Sequence, residues 1–79
     1  MDENEKRWLK RIADMLVGRK IVSVNYMTDE HKEDNGWFHR PIEIHLDDGN
    51  CLTPMQDDEG NDGGALSTWD KETPTIPVF

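Results

Sequence analysis

Along the first twenty residues the apolar positions recur with a helical period. At about 100° per residue, Trp8, Leu9, Ile12, Ala13, Met15 and Leu16 share one arc, and Lys6, Arg7, Lys10, Arg11 and Asp14 share the opposite one. This spacing predicts an amphipathic helix over 3–17 that lies on something apolar. Asp2 and Glu5 have capping-box spacing, and Gly18 suits a C-cap that needs positive φ. After Gly18 the period shortens to two. Ile21 to Met27 alternates Val22, Val24 and Tyr26 with Ile21, Ser23 and Asn25, predicting a strand over about 20–27. Thr28 to Gly36 is polar and reads as a solvated loop, with Asn35-Gly36 as a turn signal.

From Trp37 to Leu46 a second strand is expected over 37–46. Its core face carries Ile42, Ile44 and Leu46, and Pro41 marks an edge or a bend because it has no amide to donate. Asp47-Asp48-Gly49-Asn50 is a tight turn into a third strand over 51–56, with Leu52 inward and Pro54 at an edge or bulge. Asp57 to Gly64 is rich in acids and glycine and reads as a solvated loop. Short strands are expected over 65–69 and 75–79. The apolar tail that ends in Phe79 either completes the chain's own sheet or adds to a neighbour's edge.

The result is a single domain over 1–79, mainly β with an N-terminal α-helix. Its expected fold is a small, strongly bent antiparallel barrel of five strands, Sm-like or SH3-like. A chain of this length buries only about 60% of its unfolded surface and needs a staple or a partner. With Cys51 as its single cysteine it has no internal disulfide, and Cys51 reads as a reduced, small apolar residue. The charged first twenty residues exclude an apolar leader or a membrane span there, so a cytoplasmic chain with no membrane partner is expected.

The net charge of −8 is unevenly spread. Residues 1–20 hold six basic residues against four acids, a local +2, and residues 21–79 hold three against thirteen, a local −10. An acidic body disfavours phosphate backbones, whereas a basic pole can still present itself to them.

The run Leu16, Gly18, Lys20, Val22, Val24 follows a helix and resembles the first motif of the Sm/LSm-like family of small β-barrel proteins, with the resemblance spanning roughly residues 5–55. Asp47 and Asn50 sit in a turn similar to the one in which that family places an Asp and an Asn. Where the second family motif would stand, the sequence reads Trp69-Asp70-Lys71-Glu72-Thr73. The resemblance implies a homo-oligomeric ring joined edge to edge that binds single-stranded nucleic acid, RNA in the first place with DNA as the alternative, in RNA or DNA processing. The ring interface would use Ala65, Leu66, Ile76, Val78 and Phe79. Candidate nucleic-acid contacts are Lys6, Arg7, Lys10, Arg11, Asp47, Asn50, Trp69 and Lys71. Independently of the resemblance, heterologous edge pairing closes into a ring when the rotation permits.

Other constellations point to little chemistry. His39, Glu43 and His45 share a strand face, but the two imidazoles stand about 20 Å apart on a straight strand at ~3.3 Å per residue, so one metal cannot join them. The 57–64 loop fails the calcium pattern: counted from Asp58, Gly60 takes the third position and Trp69 the twelfth. Trp37, Phe38 and Trp69 are the possible base-stacking residues; core packing is the default reading for each, and Trp69, in a polar context, is the one expected to be exposed. No nucleophile–base arrangement or phosphate-cradling glycine loop is present, so neither catalysis, a cofactor nor a small-molecule substrate is expected. The alternative to nucleic-acid binding is an acidic protein-interaction module, or a nucleic-acid mimic that engages a basic protein.

Overall fold

The computed structural model describes residues 1–79. Helix α1 spans Glu3–Leu16, strand β1 Ile21–Tyr26, helix α2 Asp29–Asn35, β2 Ile42–Leu46, β3 Cys51–Leu52, β4 Leu66–Ser67 and β5 Thr75–Ile76. The strands form an antiparallel three-stranded sheet in the order β1-β2-β3 and a separate β4–β5 ribbon. Neither sheet closes. The chain is a small α+β domain, and the five-stranded Sm-like or SH3-like barrel is not formed.

Three local events prevent closure. First, Thr28 to Gly36 is a helix instead of a loop. Thr28 Oγ1 accepts from the His31 amide at 3.1 Å as N-cap, and Asp29 and Glu30 sit in the first turn, where the helix dipole favours acids. At the other end Gly36 takes φ 71°. Its amide donates to Glu33 O and the Trp37 amide to Lys32 O, a Schellman pattern that needs a left-handed residue. Second, residues 37–41 leave the strand geometry expected of them, because their backbone wraps around Asp62. Third, β3 stops after two residues and Pro54 follows it. β4 and β5 then pair only with each other, Leu66 with Ile76 and Ser67 with Thr75, so no strand links the two ends of the main sheet.

The main sheet follows its side-chain pattern. Asp47-Asp48-Gly49-Asn50 makes the β2–β3 turn, closed by the Leu46 amide donating to Asn50 O at 2.9 Å. An irregularity between Ile21 and Ser23 leaves Val22 as a bulged residue. It changes the expected facing: Ile21, Val24 and Tyr26 now lie opposite Leu46, Ile44 and Ile42. The other face is polar. There Asn25 donates to Glu43 at 2.7 Å, and its Oδ1 accepts from His45 Nε2 at 2.8 Å.

Five residues are buried: Met27, Pro41, Leu46, Asp62 and Gly63. The interior therefore centres on the contact between the 37–41 segment and the 57–64 loop. That acidic, glycine-rich loop turns inward, contrary to the solvated reading. Gln56 and Gly64 donate to Asp62 O and Pro54 O, both at 2.9 Å, and fold the loop back on the segment before it. Trp37 Nε1 donates to Gly60 O at 2.8 Å. Trp37→Phe keeps an aromatic ring at the position but removes the five-membered ring with its N–H, and leaves that carbonyl unpartnered. We expect it to lower stability by about 1 kcal/mol, or roughly 4–8 °C in Tm, read by thermal unfolding.

Helix α1 stands apart from this interior. Asp2 caps it, accepting from the Glu5 amide at 2.8 Å, yet none of its residues is buried. The radius of gyration is 14.1 Å, against about 12 Å for a compact chain of this length.

Candidate functional site

Four large apolar side chains on the α1 arc remain open: Trp8 at 56% exposure, Leu9 at 53%, Ile12 and Met15 both at 42%. The basic flank is divided. Lys6 lies 3.7 Å from Glu3, and Lys10 donates to Asp14 at 3.0 Å, each one helical turn away. Arg7 and Arg11 have no acidic partner. The Arg11 guanidinium sits 5.8 Å from the Trp8 ring centroid, within cation–π reach. Asn4, Arg7, Trp8 and Arg11 line the one shallow depression on the molecular surface. Its walls are cationic and aromatic, chemistry that suits an acidic or apolar partner.

The segment that follows α1 is clamped. Lys20 O accepts from the Asp47 amide at 2.9 Å, and the Arg19 guanidinium lies 3.7 Å from Asp47 and 3.9 Å from Asp48. Beyond the clamp, Ile21, Val22 and Val24 of β1 are 59–64% exposed, and β1 is an outer strand of its sheet. The structure thus presents two uncovered apolar surfaces, one on α1 and one on β1.

The other candidates are dispersed. Asp47 is taken up by the clamp. Asn50 closes its own turn, its amide and Nδ2 both donating to Asp48 at 3.0 and 3.2 Å. Trp69 is fully exposed and Lys71 exposed, both in the β4–β5 connection. That connection is organised by Thr68, whose hydroxyl donates to Thr73 O and accepts from the Asp70 amide.

Among the residues proposed for a ring interface, Leu66 and Ile76 pair with each other, and Ala65 is exposed beside them. The tail docks on its own chain. The Phe79 amide donates to Arg40 O at 3.0 Å, and Phe79 O accepts from the Arg40 amide at 2.6 Å. The Phe79 ring meets Tyr26 edge-on at 5.0 Å, and Tyr26 Oη donates to Pro77 O at 3.1 Å. Val78, half-buried, lies between these contacts.

One pair escaped the sequence reading. Asp62 Oδ1 accepts from the Phe38, His39 and Gly63 amides at 3.0, 3.0 and 2.8 Å, and Oδ2 accepts from His39 Nδ1 at 2.8 Å. These bonds, the His39 ring first, outweigh burial and hold the Asp62 carboxyl down to about 2. An ionised carboxylate only accepts, so His39 Nδ1 is the donor of this bond. Asp57 is also held below its ordinary value, chiefly by the Asn61 side chain, and its carboxylate caps the 57–61 turn. With Oδ1 filled by three backbone amides, Asp62 is a structural hub, and His39 is one of its ligands. No helix is long and apolar enough to cross a membrane. Comparison with protein-family models, with curated proteins and with solved structures gives no match to this chain.

Proposed function

We propose that this chain is a protein-interaction module that engages a partner protein through the apolar face of α1. One observation carries the reading: α1 buries none of its residues in its own fold, although Trp8, Leu9, Ile12 and Met15 line up along one arc. An amphipathic helix held in water leaves its apolar face without the burial that stabilises it, and laying that face into a groove is a common mode of recognition. Lys6 and Arg11 stand at the two edges of the arc, with Arg7 and Lys10 on the far side, so the fitting partner is an apolar surface with acids at its border.

A second reading, single-stranded nucleic acid at the same helix, draws on the Arg7–Trp8–Arg11 cluster, where phosphate contact and base stacking lie side by side. It is weighed down by the −10 of residues 21–79, which opposes a polyanion.

A photo-crosslinking amino acid in place of Leu9 in the full chain, expressed in cells, decides between them. A protein adduct from position 9, absent when the crosslinker replaces Asp34 on α2, is the expected result. A nuclease-sensitive adduct, or none, overturns the reading. Labelled oligo-U, oligo-A and single-stranded DNA at low salt should show no uptake at micromolar protein.

A further inference from the structure

Resting on that reading, we propose that the partner of α1 is a second copy of this chain. In a two-fold dimer, the α1 arc of each protomer lies on the exposed apolar side chains of the other's β1. The two surfaces complement each other in character. Trp8, Leu9, Ile12 and Met15 supply the helix side, and Ile21, Val22 and Val24 the sheet side, all 42–64% exposed in the single chain. They also complement each other in charge, because α1 carries four bases against three acids, a net +1, and the body it would lie on carries −10. Opposite potentials favour this docking over helix-on-helix pairing, which brings two basic flanks together.

The geometry explains why the contact is not made within one chain. Residues 17–20 join α1 to β1, and the Lys20–Asp47 hydrogen bond and the Arg19 ion pairs fix the segment to the β2–β3 turn. In this arrangement α1 projects from its own sheet, and the long axis of the molecule reaches 38 Å. A neighbour's helix meets no such restraint. Seven partly exposed apolar side chains of this size show on the order of 600 Å² per protomer, near the ~800 Å² per partner of a standard stable interface. The contact is isologous, so each copy gives one helix and receives one, and the assembly closes at two.

The test is molar mass by light scattering from micromolar to millimolar protein. The expected mass is twice the 9.2 kDa of the chain. Trp8→Glu with Ile12→Glu, both exposed on a helix with no buried residue, should give a monomer with unchanged circular dichroism. Val24→Glu should do the same from the opposite surface. Mixing the two variants should restore a weaker dimer, since one wild-type helix then meets one wild-type strand. A short bismaleimide should couple Leu9→Cys chains to Val24→Cys chains, both carrying Cys51→Ser, in preference to coupling Leu9→Cys chains with each other. This keeps the test decisive if a glutamate variant unfolds.

A wild-type monomer at every concentration overturns the proposal. So does a dimer that survives Val24→Glu, or crosslinking confined to position 9 of both copies. A foreign protein captured from position 9 by a monomeric chain overturns the self-association and leaves the interaction module standing. No adduct of any kind overturns both.

Discussion

Asp62→Ala is expected to lower Tm by roughly 10 °C or more, the largest effect of any charge removal in this chain. The carboxylate is the shared acceptor of three backbone amides and one imidazole. Truncation leaves these donors without their shared acceptor at the point where Asp62 and Gly63 are both buried. Asp62→Asn keeps an acceptor at Oδ1 and should lose less.

The same pair of variants separates the acid dependence. Asp62 titrates at about 2 in the folded chain against an ordinary 3.8. The folded state therefore favours the carboxylate. Its stabilisation is fully present above the ordinary value and disappears as the pH falls through about 2. Urea unfolding followed by circular dichroism should show wild-type stability falling between about pH 5 and pH 2. Asp62→Asn should flatten that fall, with a residue left by Asp57, which is held low by Asn61. An identical acid slope in Asp62→Asn would place the proton uptake elsewhere and remove Asp62 from the centre of the fold.

The features legible in the sequence are those written in local periodicity. The α1 arc, the Asp2 cap, the Gly18 turn and the alternation of Ile42, Ile44 and Leu46 are all short-range patterns, and each corresponds to something in the structure. Helix α2 was hidden because DEHKEDN has no apolar period. Its evidence lies in its ends, Thr-Asp-Glu at the start and Asn-Gly at the stop, and the second reads equally as a turn signal within a solvated loop. The 57–64 loop departs from its local pattern for a different reason. Acids beside glycines look solvated when only neighbours are counted, but Asp62 finds its partners 23 and 24 residues upstream. No period reaches that far. The barrel failed on continuity: five apolar runs were present, yet Pro41, Pro54 and the inward loop cut the pairing that would have joined them. The candidate site was legible by halves. The sequence marks an apolar arc on α1, whereas its lack of cover, and the parallel exposure of β1, exist only in three dimensions.

Gly63→Ala should be nearly as damaging as the loss of Asp62, although it adds a single methyl group. A Cβ at this position would stand 2.6 Å from Pro41 Cδ, 3.0 Å from Pro41 Cγ and 2.8 Å from His39 O. Neither neighbour can yield cheaply. Pro41 is a rigid ring and the most deeply buried side chain, and His39 O belongs to the backbone. The 62–64 and 38–41 segments must therefore separate, and that movement stretches the Asp62 bonds to the Phe38 and His39 amides. Overpacking of this kind costs about 1–3 kcal/mol, and each kilocalorie corresponds to roughly 4–8 °C in Tm for a domain of this size. Pro41→Ala in the Gly63→Ala background removes the ring atoms and leaves the carbonyl, so it should recover part of the loss, and a double-mutant cycle measures the coupling. If the two substitutions are instead additive, the methyl never meets the ring, and the packing of this loop against residues 38–41 is not what holds the domain together.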